Sequence, residues 1–262
     1  MKGYGFLITG FKRYFAYKAQ VLAKLIASPA ELVIMIIVWM SIFNYSGLKE
    51  IGGFSLSEMI NYYIIIYIVG LIISDKSDTR LGSNIQYGYL AMRLLNPLQI
   101  YQLYLNDEFG EKLGILFTQL IPVVIISVLF LGLNSSLINA LLFVISGVLA
   151  YFMIFFFNMT FGLLYFKVKE YRYTSRIKNM ISGFLSGKIL PLSVFPLWLS
   201  EVIKFLPFNY FFYAPANIFL GKYSLGVSLI TLLIQFSWII LFYALFKIGW
   251  FKALKEFEGV GI

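Results

Sequence analysis

The nearest thing to a nucleotide motif in this chain is Gly183-Phe-Leu-Ser-Gly187-Lys188, and the residue types rule it out. The spacing is one residue short of a phosphate-binding loop. Ile189 stands where a Ser or Thr would hold magnesium, and the surroundings are apolar. Gly183 and Gly187 fit better as a small-xxx-small pair that lets helices approach closely. Histidine and cysteine are absent. That removes the commonest general base, the commonest metal ligand and every disulfide. The acids are scattered. Asp107, Glu108 and Glu111 cluster beside Lys112, which reads as a solvated charged face at a membrane end. Glu31 falls near the inner end of an apolar run, within reach of water. With no deep pair of acids, an intramembrane enzyme has little to work with. No catalytic residue, resident cofactor or metal site is expected, and a proton or sodium relay lacks its groups.

Two kinds of residue stand out inside the apolar runs. Lys188 is an intramembrane cation, which costs about 3 kcal/mol at mid-helix on insertion scales. It either snorkels to the outer surface or faces the interior or a substrate path. Tyr62, Tyr63 and Tyr67 lie too deep to be all interfacial belt. Tyr63 and Tyr67 are one turn apart. They either line a cavity for an amphipathic substrate or pack helices.

The elements that position these residues are set by composition. Of 262 residues, 60% are hydrophobic and only 13% charged. A soluble domain carries about a quarter charged residues. The expectation is one all-α membrane domain over 1–262, with no room for a second. Six runs approach the roughly 20 residues a crossing needs: about Pro29–Tyr45, Glu58–Ile73, Leu113–Leu133, Leu137–Phe166, Ile177–Leu192 and Leu225–Ile248. Of the 21 Lys and Arg, 17 fall in segments 1–28, 74–112, 166–178 and 247–262. Basic residues mark the cytoplasmic side, so both termini are expected there. The net charge of +9 has the same explanation and calls for no nucleic acid. No compact apolar run ends in a small-residue cleavage site, so no cleaved signal is expected.

Three segments surround the crossings. Within 1–28, Leu7, Phe11, Tyr14, Phe15 and Leu22 share a helical face, as in a helix lying at the membrane interface. In the polar loop 74–112, Leu81, Ile85, Tyr89, Met92 and Leu95 also share a face. Ser77 and Asp78 offer N-caps, and Asn96-Pro97 closes the helix. Gly82 and Gly88 are poor helix formers that suit close approach of a partner surface. Such a helix either transmits force from a soluble partner or lies on the membrane or the protein's own base. The third segment, Ile181–Gly221, holds Pro191, Pro196, Pro207 and Pro215, four of the seven prolines. It is too long for one crossing and too short for two. A broken backbone in lipid survives only where protein or water shelters it. A crossing followed by short helices that dip in and return over 191–221 is expected.

Two of these stretches carry a family likeness. Asn84–Pro97 (NIQYGYLAMRLLNP) and Phe184–Gly221 (FLSGKILPLSVFPLWLSEVIKFLPFNYFFYAPANIFLG) resemble those of ABC-2 type permeases, the membrane halves of ATP-driven exporters. The nearest group is the one that includes candidate drug or viologen exporters. The resemblance implies a permease that binds no ATP or magnesium itself. It implies two separate ATPase subunits that do, a second permease, identical or homologous, and a place in the cell membrane among its lipids. It implies coupling to the ATPases through Arg80, Leu81, Ile85, Gly88, Met92 and Arg93, and a path lined by Tyr63, Tyr67, Met180 and Phe184. It also implies an outer gate at Lys188, Pro191, Phe195, Pro196, Pro207 and Phe208. The cargo would be a hydrophobic or amphipathic drug, lipid or peptide. The competing expectation is a stand-alone ion-coupled carrier.

Overall fold

The computed structural model describes residues 4–16, 18–129, 131–168 and 170–255. Lys2, Lys169 and the tail 256–262 lie outside them. Among the described residues the chain is helical throughout, relieved by one isolated bridge between Ile51 and Phe54. It is an all-α, polytopic membrane protein.

Among the described residues, five stretches are long and apolar enough to cross a bilayer: Pro29–Ser46, Leu56–Ile73, Ile100–Leu129, Leu137–Phe166 and Leu225–Lys255. The expected crossing at 177–192 is different. Helix α9 runs Tyr171–Leu185 and stops. Its 15 residues span about 22 Å at a rise of about 1.5 Å per residue, against a hydrocarbon core of about 30 Å. The helix begins among Arg172, Arg176 and Lys178, so half of it is polar.

Helix α1 (Tyr4–Ala16) leads to α2 (Lys18–Ser46), the first crossing. Helix α1 is not simply a helix on lipid. It docks along α6 (Ile100–Ile115) through glycines. A Cβ on Gly110 would sit 2.2 Å from the Leu7 carbonyl oxygen, and one on Gly10 2.4 Å from that of Asp107. Only glycine permits backbones that close. Tyr14 packs on Gly114 and shares a 2.6 Å hydrogen bond with Thr118.

Helix α3 (Leu56–Ile73) is the second crossing. It starts with a capping box, Ser55 with Glu58, and buries both of its flanks. Helices α4 (Ser77–Gln86) and α5 (Leu90–Leu94) follow. The third crossing starts earlier than its apolar run. Helix α6 passes through a π-helical turn, Leu116–Leu120, into α7 (Ile121–Leu129). Pro122 lacks an amide hydrogen, and the wider turn before it absorbs that loss.

Helix α8 (Leu137–Gly162) is the central post. It packs on α12 (Leu225–Lys255), where Ser146 donates to Gln235 Oε1 at 3.1 Å and Gln235 donates to the Tyr210 carbonyl at 2.9 Å. Between α9 and α12 lie α10 (Leu197–Lys204) and α11 (Tyr213–Phe219), with 3-10 turns at Leu192–Val194 and Pro207–Tyr210. The four prolines start these short helices more than they break a long one. Pro191 and Pro196 precede a first turn, Pro207 opens one, and Pro215 lies inside one, where a missing amide hydrogen costs little.

Candidate functional site

One end of the bundle gathers α4, α5, the start of α6, the end of α8 and the start of α9. It carries most of the charge, and here it is called the basic end. The acids there are not a solvated face, as their spacing suggests. Asp107 and Glu108 are buried. Asp107 is bracketed by Arg93 at 3.0 Å and Arg13 at 3.3 Å. Arg80 reaches Glu108 at 3.0 Å and also Glu111. Burial pulls the Arg80 guanidinium down, but Glu108 and Glu111 outweigh it and hold it above the ordinary arginine range. Lys112 donates to the Leu71 carbonyl at 3.1 Å and Ser74 Oγ at 2.7 Å. These pairs tie α1, α4, α5 and α6 into one block.

The loop helix is not continuous. Gly88 takes φ +75°, a left-handed conformation that favours glycine, and the chain turns there between α4 and α5. Ser77 and Asp78 do not act as caps. Asp75 accepts from the Ser77 amide at 3.1 Å and hydroxyl at 2.6 Å. Asp78 is buried and accepts from Lys178 at 2.6 Å and Ser175 at 2.8 Å. Asn158 on α8 donates to Asp75 at 2.6 Å and accepts from Lys178. Burial pushes the Asp75 carboxyl up, against the hydrogen bonds from Ser77 and Asn158.

The expected coupling residues therefore separate. Leu81 is fully buried against Gly162. Arg80 and Arg93 are engaged with acids, and Ile85 is half-buried. Gly82 admits Tyr171, whose Cβ would lie 2.6 Å from an added methyl, so that close approach is internal. What the block presents outward is Tyr87, Tyr89, Met92 and Leu95, the last 86% exposed.

Above the basic end, α3, α8, α9 and α11 enclose a cavity of about 320 Å³. Its wall includes Ser74 and Asp75 at the basic end, Asn179, Ser182 and Gly183 of α9, the rings of Phe157, Phe211 and Phe212, and Lys188. A second cavity of about 190 Å³ lies between α2 and α3, with Glu31, Met35, Tyr63, Tyr67 and again Lys188. Gly70 and Lys188 border both. Tyr63 and Tyr67 thus line the second cavity, whereas Met180 and Phe184 lie on the open face of α9, away from the first. Lys188 does not reach for the far end. Its ammonium is 6.0 Å from the Phe212 ring, and Phe212 lies over Gly70 in the basic half of α3.

At the far end the backbone after α9 is held by α3 and α11. Tyr62 donates to the Gly187 carbonyl and Tyr63 to the Ile189 carbonyl, each at 2.7 Å. The Tyr213 amide donates to the Ser186 carbonyl at 3.0 Å. Gly187 has φ +82° and leaves no room for a Cβ beside Tyr62 and Tyr213. Phe195 meets Phe184 at a tilt, with ring centroids 5.0 Å apart, and Phe208 meets Phe157 edge-on at 5.9 Å. Pro191 is buried, and Gly52 of the α2–α3 turn presses on Ser193 and Val194. Of the expected gate residues, Pro191, Phe195 and Phe208 thus pack on neighbouring segments at this end, whereas Pro196 is exposed.

Asp75, Asn158 and Lys178 escape a reading of runs and motifs because their partners lie far along the chain. One signal was available. Lys178, Asn179 and Ser182 recur at helical spacing within the expected crossing, with Ser175 one turn before it, and such a polar stripe marks a helix facing protein or water.

No curated protein matches the chain. The model of the ABC-2 family transporter proteins matches residues 29–261, nearly its whole length. A short α9 pinned at its end, a cavity beside it and a charged block at the basic end are the setting of this match: the chain belongs to the ABC-2 family of transporter membrane components.

Proposed function

We propose that this chain is the permease half of an ATP-driven exporter that moves a hydrophobic or amphipathic molecule. The basic end faces the cytoplasm, with both termini. Two separate ATPase subunits dock there, and a second permease, identical or homologous, completes the transporter. The observation that supports this reading best is the block at the basic end. Its outer tip is exposed and largely apolar (Tyr87, Tyr89, Met92, Leu95), with Arg172 donating to the Tyr87 hydroxyl, whereas its inner side is bound to the crossings through Leu81, Arg80 and Asp78. A push on the tip is carried to α6, α8 and α9 together.

In this mechanism Arg80, Ile85, Gly88, Met92 and Arg93 form or support the coupling surface, and Leu81 anchors it. The two cavities that meet at Lys188 hold cargo. Closure of the ATPases on ATP tilts the block, closes the cavities from below and parts the cover formed by Pro191, Phe195, Pro196, Pro207 and Phe208. ATP and magnesium stay in the ATPases.

The test is co-purification and transport. The tagged permease should bring down a soluble ATPase, and inside-out vesicles holding both should accumulate an amphipathic dye only with ATP. The buried Asp75–Asn158–Lys178–Asp78 chain favours a second reading, an ion-coupled carrier. Dye uptake in proteoliposomes driven by an ion gradient, with no ATPase present, would establish that reading and overturn the first.

A further inference from the structure

Lys188 is exposed, and it opens onto both cavities. Among the described residues no carboxylate pairs with it, and its recorded neighbour is the Phe212 ring. The backbone acceptors around it are also taken. The Ser182 carbonyl accepts from the Ser186 amide, Gly183 from the Ser186 hydroxyl, Ser186 from the Tyr213 amide, Gly187 from Tyr62 and Ile189 from Tyr63. An ammonium has three donors and no acceptor. With no carboxylate partner among the described residues, its donors are free to meet a ligand that enters the cavities.

The backbone that carries this ammonium is fixed. Tyr62 and Tyr63 pin the carbonyls on either side of Lys188, and Gly187 makes the turn that aims it. It points toward the basic end, into the two cavities it shares with Gly70. The rings of Phe157, Phe211 and Phe212 beside it suit an apolar chain. Glu31 borders one of these cavities and Asp75 the other, and neither is ion-paired with Lys188. Asp75 Oδ2 is spent on Ser77 and Asn158, and its Oδ1 is enclosed.

We infer that Lys188 binds an anionic group, a carboxylate or phosphate, carried on an apolar chain that lies in these cavities. That the anion is cargo rests on the transporter reading; that it binds does not.

The test uses the full chain in phosphatidylcholine nanodiscs, without ATPase, against empty discs. Octyl phosphate, octyltrimethylammonium and octyl glucoside are titrated by equilibrium dialysis. Octyl phosphate should bind at least tenfold more tightly than the other two. Lys188→Gln should erase that preference and leave octyl glucoside unchanged, and Lys188→Arg should keep it. Because the chain has no cysteine, Lys188→Cys offers a control on folding. Attaching an aminoethyl group through a disulfide restores the charge and should restore octyl phosphate binding; a methyl group should not. Adding phosphatidylglycerol to the discs separates the sources. Competition assigns the anion to membrane lipid, and its absence assigns it to a free amphiphile. Equal binding of the three probes, or a preference that survives Lys188→Gln, overturns the inference. A permease that captures no ATPase would sink the transporter reading and leave this result standing.

Discussion

The Tyr62 hydroxyl donates to the Gly187 carbonyl at 2.7 Å across 125 positions of sequence. This bond explains how a helix can end inside a membrane. Helix α9 stops at Leu185, and each carbonyl beyond it would be orphaned where no lipid can bond it. Tyrosines on α3 supply the missing donors at the depth of the break.

Tyr62→Phe keeps the ring and removes the donor. A buried carbonyl left bare costs about 1–3 kcal/mol. The thermal midpoint of the detergent-solubilised protein should fall, and Tyr62→Phe/Tyr63→Phe should fall further. Gly187→Ala should be worse than Tyr62→Phe, because it places a Cβ 2.9 Å from Tyr62 and Tyr213 at φ +82°. Midpoints equal to wild type for Tyr62→Phe would show that the break is held some other way.

The Asp78–Lys178 pair should behave as one unit. Both side chains are almost fully buried, 2% and 3% exposed, and lie 2.6 Å apart. Removing one partner strands the other charge, at a cost of about 3–5 kcal/mol. Lys178→Met should therefore lower stability more than Lys178→Met/Asp78→Asn, measured by thermal unfolding. Additive losses in the double-mutant cycle would mean that the two charges do not sense each other.

These pairs also mark the limit of what the sequence discloses. Long apolar runs such as Leu137–Phe166 are legible because lipid demands about 20 apolar residues in a row, and α8 with the 3-10 turn Leu163–Phe166 after it covers that run. The third crossing is legible only in part. Its polar lower half, Asp107 to Lys112, belongs to the same rod once Arg13, Arg80 and Arg93 fold onto it. Nothing local says which arginines those are. Gly88 reads as a flaw in a helix, but its left-handed φ makes it the corner between two. Tyr63 is legible as deep and polar; that it is spent on the Ile189 carbonyl depends on a segment far downstream. The prolines are legible as a break, whereas their use as helix starters depends on how α10 and α11 fold over the end of α9.

Asp75 gives a pH test. Its carboxyl is raised in the folded state by burial, against hydrogen bonds from Ser77 and Asn158. The folded protein then holds that proton more tightly than the unfolded chain, whose carboxyl titrates near about 3.9. The contribution of Asp75 to stability is most favourable below that value. It declines as pH climbs through the folded pKa and is level above it. Asp75→Asn removes this decline, with Arg80, Glu108 and Lys112 left in place. The midpoint of the variant relative to wild type should therefore rise between mildly acid and neutral pH. A constant difference across the range would show that Asp75 has the same proton affinity folded and unfolded.

The tip of the basic block gives the sharpest functional test. Met92 and Leu95 are 63% and 86% exposed, so a charge there disturbs no core, and surface changes of this kind move stability by about 0.5 kcal/mol or less. If ATPases dock on this tip, Met92→Glu/Leu95→Glu should reduce the ATPase retained by tagged permease at least tenfold, which corresponds to about 1.4 kcal/mol, at an unchanged thermal midpoint. Gly88→Trp should act differently. It forces a bulky side chain into the left-handed corner and alters the angle between α4 and α5, so ATP hydrolysis should continue while transport falls. Full retention and full transport in both variants would move the docking surface elsewhere, and the exposed Lys12, next to Arg13 of the Arg13–Asp107 clasp on α1, would be the next position to probe.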